Sequence, residues 1–167
     1  MSGKTSDDGL FGKGERRMPR RATLTLSQIL ERFEQDAESH TTSGPCGEDE
    51  LLRLEESLGR RLPDPFRKFL ARLGGGMFYH GHEIFGPRRA MIHDIELVPD
   101  LFAMRQRLLA EGNLPDDGFV PFHRARGVIN LMDVRDEDGA GRIMCARQPA
   151  PFPDLASFLE AVVLPRR

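Results

Sequence analysis

The chain has no tryptophan, one tyrosine and two cysteines in 167 residues. With so few rings, and no interleaving of aromatic with basic side chains, a surface that stacks nucleic-acid bases has no support. Cys46 and Cys145 lie far apart without CxxC spacing, which excludes a four-cysteine zinc site and leaves two free thiols in a reducing cytoplasm as the expectation. No apolar run approaches the roughly 20 residues of a membrane span. The N-terminus is charged and glycine-rich rather than a basic stub followed by an apolar stretch, so no Sec signal is expected. Net charge is lacking too: 24 basic and 26 acidic side chains leave −2, too little to draw the whole chain to a polyanion.

What is present suffices for one soluble core: 39% apolar and 30% charged residues with a mean hydropathy of −0.43. Residues 1–22 carry six basic side chains (Lys4, Lys13, Arg16, Arg17, Arg20, Arg21) against three acids (Asp7, Asp8, Glu15) and hold four glycines. Such a stretch cannot build a core, so a flexible basic tail over 1–22 and one domain over 23–167 are expected. The body is mildly acidic, and its acid is concentrated: residues 36–57 hold Asp36, Glu38, Glu48, Asp49, Glu50, Glu55 and Glu56 against Arg53 alone.

Thr25 and Gln28 have capping-box spacing, and Leu26, Ile29, Leu30 and Phe33 recur at helical intervals, which predicts a helix over about 26–38. Residues 39–47 (SHTTSGPCG) read as a turn. Leu51, Leu54 and Leu58 then mark a second helix that Gly59 closes. Asp64-Pro65 supplies an N-cap and a first-turn proline for a third, with Phe66, Phe69, Leu70 and Leu73 on one stripe and Gly74 as its stop. After Gly74-Gly75-Gly76 come short β-prone pieces, 77–80, 83–85 and 90–97, predicted to be neighbouring strands. A helix capped by Asp100 carries Leu101, Met104, Leu108 and Leu109 to Gly112. Strands are predicted at 119–122, 127–134 and 142–147, the last two as a hairpin across RDEDGAG. Asp154 caps a final helix with Leu155, Phe158, Leu159 and Val162 on its apolar face. Helices grouped around sheet pieces without strict alternation give an α+β class: a single domain, mostly antiparallel sheet flanked by about five helices.

The chemistry-bearing patterns are few. His80 and His82, at alternate positions of an expected strand, could offer two imidazoles to one metal, with His93 and His123 elsewhere. Surface histidines are the competing reading, and no HExxH accompanies them. The acids Asp133, Asp136, Glu137 and Asp138 before Gly139 miss the calcium-loop register and read as a solvated hairpin tip. The glycine run follows a helix and lacks the phosphate-loop lysine, so it reads as a helix stop and tight turn. There is no GxSxG, and neither cysteine has a histidine close in sequence, so nucleophilic catalysis is unsupported. No cofactor and no metal are expected.

Residues 58–76, LGRRLPDPFRKFLARLGGG, resemble the signature of the SUKH superfamily, the Smi/Knr type. Leu58-Gly59, Leu62-Pro63, Phe66, Phe69-Leu70 and Gly74-Gly75 fit that signature in order and spacing. Ile84-Phe85-Gly86, the helix after Pro99, Val120-Pro121-Phe122, Leu131-Met132-Asp133 and the closing helix from Phe152 extend the resemblance over about residues 26–164. Leu73 stands where the family often has asparagine, and Arg124-Ala125-Arg126-Gly127 replaces a more acidic approach to the central strand. The resemblance implies a compact α+β protein-binding module without common catalytic residues, its motif residues structural. In bacteria it implies an immunity protein that binds and neutralises a toxin.

The leading expectation is therefore a cytoplasmic, non-enzymatic immunity protein whose acidic, loop-bearing face blocks a toxin, often a basic nuclease. Phe78, Tyr79, His80 and His82 after the glycine turn, and Asp136, Glu137 and Asp138 on the hairpin tip, are the candidate partner contacts. A core-facing strand position is the competing reading of Phe78. An adaptor binding an endogenous protein and a histidine-metal enzyme at His80 and His82 are the alternatives.

Overall fold

The structure is a computed structural model and describes residues 19–136, 139, 141–145 and 150–166. Helix α1 (Leu26–Gln35) opens on the reciprocal Thr25–Gln28 capping box and buries Ile29, Leu30 and Phe33. It ends at Gln35, short of the expected 38, and a 3-10 turn follows over Ala37–Ser39. The segment expected to be all turn holds a strand instead: β1 (His40–Thr42) pairs antiparallel with β2 (Gly76–Phe78). Three residues without apolar alternation carry no strand signal, so only the partner strand reveals this one.

Helices α2 (Glu48–Leu58) and α3 (Asp64–Arg72) follow the apolar stripes. Gly59 closes α2 in the left-handed conformation, φ 70°. Pro63, one residue before the expected cap, takes the N-cap place of α3, with Asp64 in its first turn. The link between the helices is tied by Glu55, whose buried carboxylate accepts the Leu62 N–H at 2.6 Å and the Arg67 Nε–H at 3.0 Å. The glycine run has a physical cause. Gly74 takes φ 76° to end α3, and a Cβ on Gly75 would stand 2.5 Å from the Gly86 nitrogen. The Gly-Gly motif is thus the place where the chain leaving α3 passes against the backbone leaving β3 (His82–Ile84).

Among the described residues the main sheet has six strands, β1, β2, β3, β6 (Phe119–Ala125), β7 (Val128–Asp133) and β8 (Ile143–Met144) in that order, every pair antiparallel. Its centre is β6 and β7, joined through Arg126 and Gly127, both at positive φ. That is the twist a tight antiparallel hairpin favours. The expected pairing of β7 with β8 is present. Residues 90–97, expected to be one strand, are two: β4 (Ala90–Ile92) and β5 (Ile95–Val98) fold back on each other at His93-Asp94 as a separate two-stranded sheet. β4 lies against β1, and β5 against β2.

Phe33, Phe66, Phe69, Phe78, Phe122 and Phe158, all fully buried, form one connected ring cluster between α1, α3, the last helix and the sheet, joined through Phe66 and Phe69. Helix α4 (Leu101–Glu111), capped by the Asp100 carboxylate and closed by Gly112, packs against β6. Helix α5 (Leu155–Phe158) runs on as a π-helical turn over Leu159–Val163. The wider turn adds one residue, so Val163 is buried and Val162 only half-buried. From the stretch expected to be a tail, Ala22 donates its N–H to Ser157 Oγ at 3.0 Å, and Arg21 lies 3.7 Å from Asp154. This is a single α+β domain with a mostly antiparallel sheet.

Candidate functional site

Of the residues expected to face a partner, Tyr79 and His80 form the turn between β2 and β3. Both adopt left-handed backbone conformations, φ 48° and 59°, that non-glycine residues rarely take. The Gly81 N–H donates to the Phe78 carbonyl at 3.2 Å across the turn, and three side-chain bonds add to it. The Tyr79 hydroxyl donates to Asp36 Oδ2 at 2.8 Å, the Tyr79 N–H donates to His40 Nδ1 at 3.2 Å, and the His40 Nε2–H donates to the Phe33 carbonyl at 2.9 Å. His80 is exposed and Tyr79 half-buried. Phe78 is withdrawn from the partner-facing set: it is 0% exposed and packs on Phe33, His40 and Phe69. Strand alternation after the glycine turn puts it on the helix side, where the core claims it.

His82 shares that side, directly opposite Phe78. It meets His123 of β6, ring nitrogens 2.9 Å apart, while Asn130 Nδ2 stands 3.0 Å from the other nitrogen of His123. With Asn130 donating there, His123 keeps its proton on Nε2 and gives it to His82 Nδ1. Burial pushes His123 down to about 3, helped by the neighbouring His82, and lowers His82 as well. Both rings are therefore neutral near pH 7. His80 does not join them, because it lies in the turn and not on the strand, and the expected pair of imidazoles on one strand is not formed. Among the described residues no three His, Cys, Asp or Glu side chains converge as metal ligands.

Sequence reasoning missed the β4–β5 hairpin tip. Residues 91–96 are all exposed, and three are large apolar side chains: Ile95 is 71% exposed, Ile92 42% and Met91 36%. The base is anchored by buried Ala90 and Val98, so the hairpin is held to the sheet while its apolar end stays uncovered. The signal was present as the polar pair His93-Asp94 inside an apolar run, which divides 90–97 into two short strands. An uncovered apolar end rimmed by Arg89, Asp94 and Glu96 has the character of a docking surface.

The other expected contacts lie elsewhere. Asp136 is exposed on the link from β7 to β8, at the edge of the sheet opposite β1 and β2. Several strand spacings of about 4.8 Å separate it from the Tyr79 turn, so Asp136 and that turn do not form one patch. Glu137 and Asp138 lie outside the described residues. The acid-rich stretch 36–57 is largely engaged within the fold: Glu48 and Glu55 bind Arg67, Glu50 binds Arg88 at 2.6 Å and Asp36 binds Tyr79. A concavity of about 480 Å³ lies between α4 and the open face of β7 and β8, lined by Leu108, Asn113, Ile129, Leu131, Met144 and Cys145. Burial raises both thiols, Cys46 and Cys145, to about 11, so neither is a ready nucleophile at neutral pH.

The Leu-Gly, Leu-Pro and Gly-Gly positions thus lie at helix ends and turns of a helix-backed antiparallel sheet that carries an uncovered apolar hairpin at one edge. The chain belongs to the SMI1 / KNR4 family (SUKH-1), whose model matches residues 45–161. The matched segment runs from the turn before α2 through α5 into the π-helical turn after it, and so contains the Leu-Gly, Leu-Pro and Gly-Gly positions. The chain is also 29% identical over 123 residues to a tetrahydromethanopterin S-methyltransferase subunit of Methanothermobacter marburgensis. That match covers 70% of this chain and 48% of the relative, so the chain spans about half the length of that protein. No helix among the described residues is long and apolar enough to cross a membrane.

Proposed function

We propose that this protein is a non-catalytic immunity protein of the cytoplasm that binds and neutralises a cognate bacterial toxin, through the β1–β2 edge of its sheet. The observation that carries the reading is the β4–β5 tip, where Met91, Ile92 and Ile95 stand uncovered on a hairpin anchored by Ala90 and Val98. Family membership supports the binding role; β5 packs on β2, and the left-handed Tyr79–His80 turn leading out of β2 would add polar contacts. The surface has mixed charge: Arg89 lies 3.8 Å from Glu96, and Asp94 and His93 cap the tip. A toxin surface with an apolar recess inside a polar rim fits this better than a uniformly basic one, since four of the seven acids of 36–57 are already engaged within the fold. The methyl transfer named for the Methanothermobacter relative is not carried over, because the match is under one-third identical and covers half of that protein.

The test is co-expression with a toxin encoded beside the gene, followed by isolation of the complex and assay of the toxin. A stoichiometric complex with the toxin inactive is expected. Replacing Ile92→Asp and Ile95→Asp together removes burial worth roughly 1.5–3 kcal/mol per side chain, so affinity should fall by roughly 100-fold or more while the melting temperature stays within a few degrees. A toxin that stays active in the complex overturns immunity, and an unchanged affinity overturns the hairpin as the interface.

A further inference from the structure

The Tyr79–His80 turn is costly as built. Two successive non-glycine residues in the left-handed region must be held by their surroundings; beside the Gly81–Phe78 backbone bond and the Tyr79–Asp36 bond, the His40 imidazole takes the Tyr79 N–H. His40 is wedged among Phe33, Phe78 and Tyr79, with ring centroids 5.5, 5.0 and 4.5 Å away. It accepts the Tyr79 N–H at Nδ1 and donates from Nε2 to the Phe33 carbonyl. Both ring nitrogens are thus committed, one as acceptor and one as donor, which fixes a single neutral tautomer. A proton arriving at Nδ1 would turn that acceptor into a donor pointing at another N–H.

We infer that the unprotonated imidazole of His40 is the positioning residue of the Tyr79–His80 turn, and that a proton on its Nδ1 releases the turn. The link to partner binding rests on the proposed function above; the release itself does not. The groups facing the ring are Asp36 at the end of α1, His80 on the turn and the Tyr79 phenol. Burial lowers His40 below its ordinary 6.5 and the charge of His80 works in the same direction, while the Phe33 and Ser39 carbonyls and Asp36 oppose them. The neutral ring, and with it the closed turn, is therefore the form at pH 7, and release is an acid event below 6.5.

The chain offers its own reporter, because Tyr79 is its only tyrosine and there is no tryptophan. A phenol hydrogen-bonded to a carboxylate emits weakly, so release should raise the emission. From pH 7.5 to 5.0 the intact protein should brighten along a one-proton curve with its midpoint below 6.5, with far-UV circular dichroism unchanged. His40→Gln keeps a donor for the Phe33 carbonyl but cannot be protonated, and its emission should be level over the same range. A level wild-type emission while the His40 ring protons titrate by NMR overturns the inference, as does an unaltered curve in His40→Gln. Should that variant not fold, hydrogen exchange of the wild-type Tyr79 amide decides. Its protection should fall by up to about tenfold per pH unit below the midpoint, the limit for a single proton, and constant protection overturns the latch. With the toxin, affinity should weaken along the same curve. An affinity independent of pH, alongside the emission curve, would remove this turn from the interface and leave the latch standing.

Discussion

The two sides of the sheet are built differently. β6 and β7 are seven and six residues long and bury Val120, Phe122 and Met132. β1 to β4 have three residues each, and three of the four described non-glycine residues at positive φ, Tyr79, His80 and His93, lie in their turns. The long pair is specified by its own length, alternation and burial, so a substitution there is felt as stability. The short strands are specified by what they lean on: β1 by β2, the Tyr79 turn by His40 and the β4–β5 hairpin by its base. Exposed positions there are outside the core, so substitutions at them should leave the domain folded.

The largest effect expected from breaking this contrast is in the centre. Phe122→Ala removes a fully buried ring that touches Phe66 and Phe158, and should cost about 3–5 kcal/mol in a urea unfolding curve. A loss under about 1 kcal/mol would mean that the central pair does not hold the fold.

Next comes acid. The folded state holds His123 near 3 against an ordinary 6.5, so the unfolded chain takes up the proton first as pH falls. Stability is intact above pH 6.5 and declines below it, by about 3 kcal/mol from this group at pH 4.5. His123→Phe should flatten most of that slope when unfolding is followed from pH 7 to 4.5.

The smallest effect sharpens the contrast from the other edge. Ile95→Ser, at the exposed tip, should move stability by no more than about 0.5 kcal/mol, measured in the same urea titration. A loss comparable with that at Phe122 would show the hairpin to be part of the core after all.

The helices are legible because their signals are local: the Thr25–Gln28 box, the leucines of α2 above Gly59, and the stripe from Phe66 to Leu73. The Gly-Gly motif is legible as a stop, although its reason, the approach of Gly75 to Gly86, involves backbone outside the run. The candidate site is legible only in part. Tyr79 and His80 stand out by position after the glycines, and both are on the turn. Phe78, named both as a partner contact and as a core-facing strand position, is in the core. His40 passes for a turn residue because its role depends on Tyr79, 39 positions away. The tip residues Met91, Ile92 and Ile95 pass for strand interior, because apolar character alone does not say which side of a hairpin stays uncovered.

By itself, then, the sequence determined the α+β class, the helices with most of their caps and the family signature, all of which rest on interactions within a few residues. The tertiary structure decided that β1 exists, that 90–97 is a hairpin, that His82 meets His123 and that His40 holds Tyr79. Those depend on strand pairing and on contacts between residues far apart in the chain, whose geometry no local spacing contains.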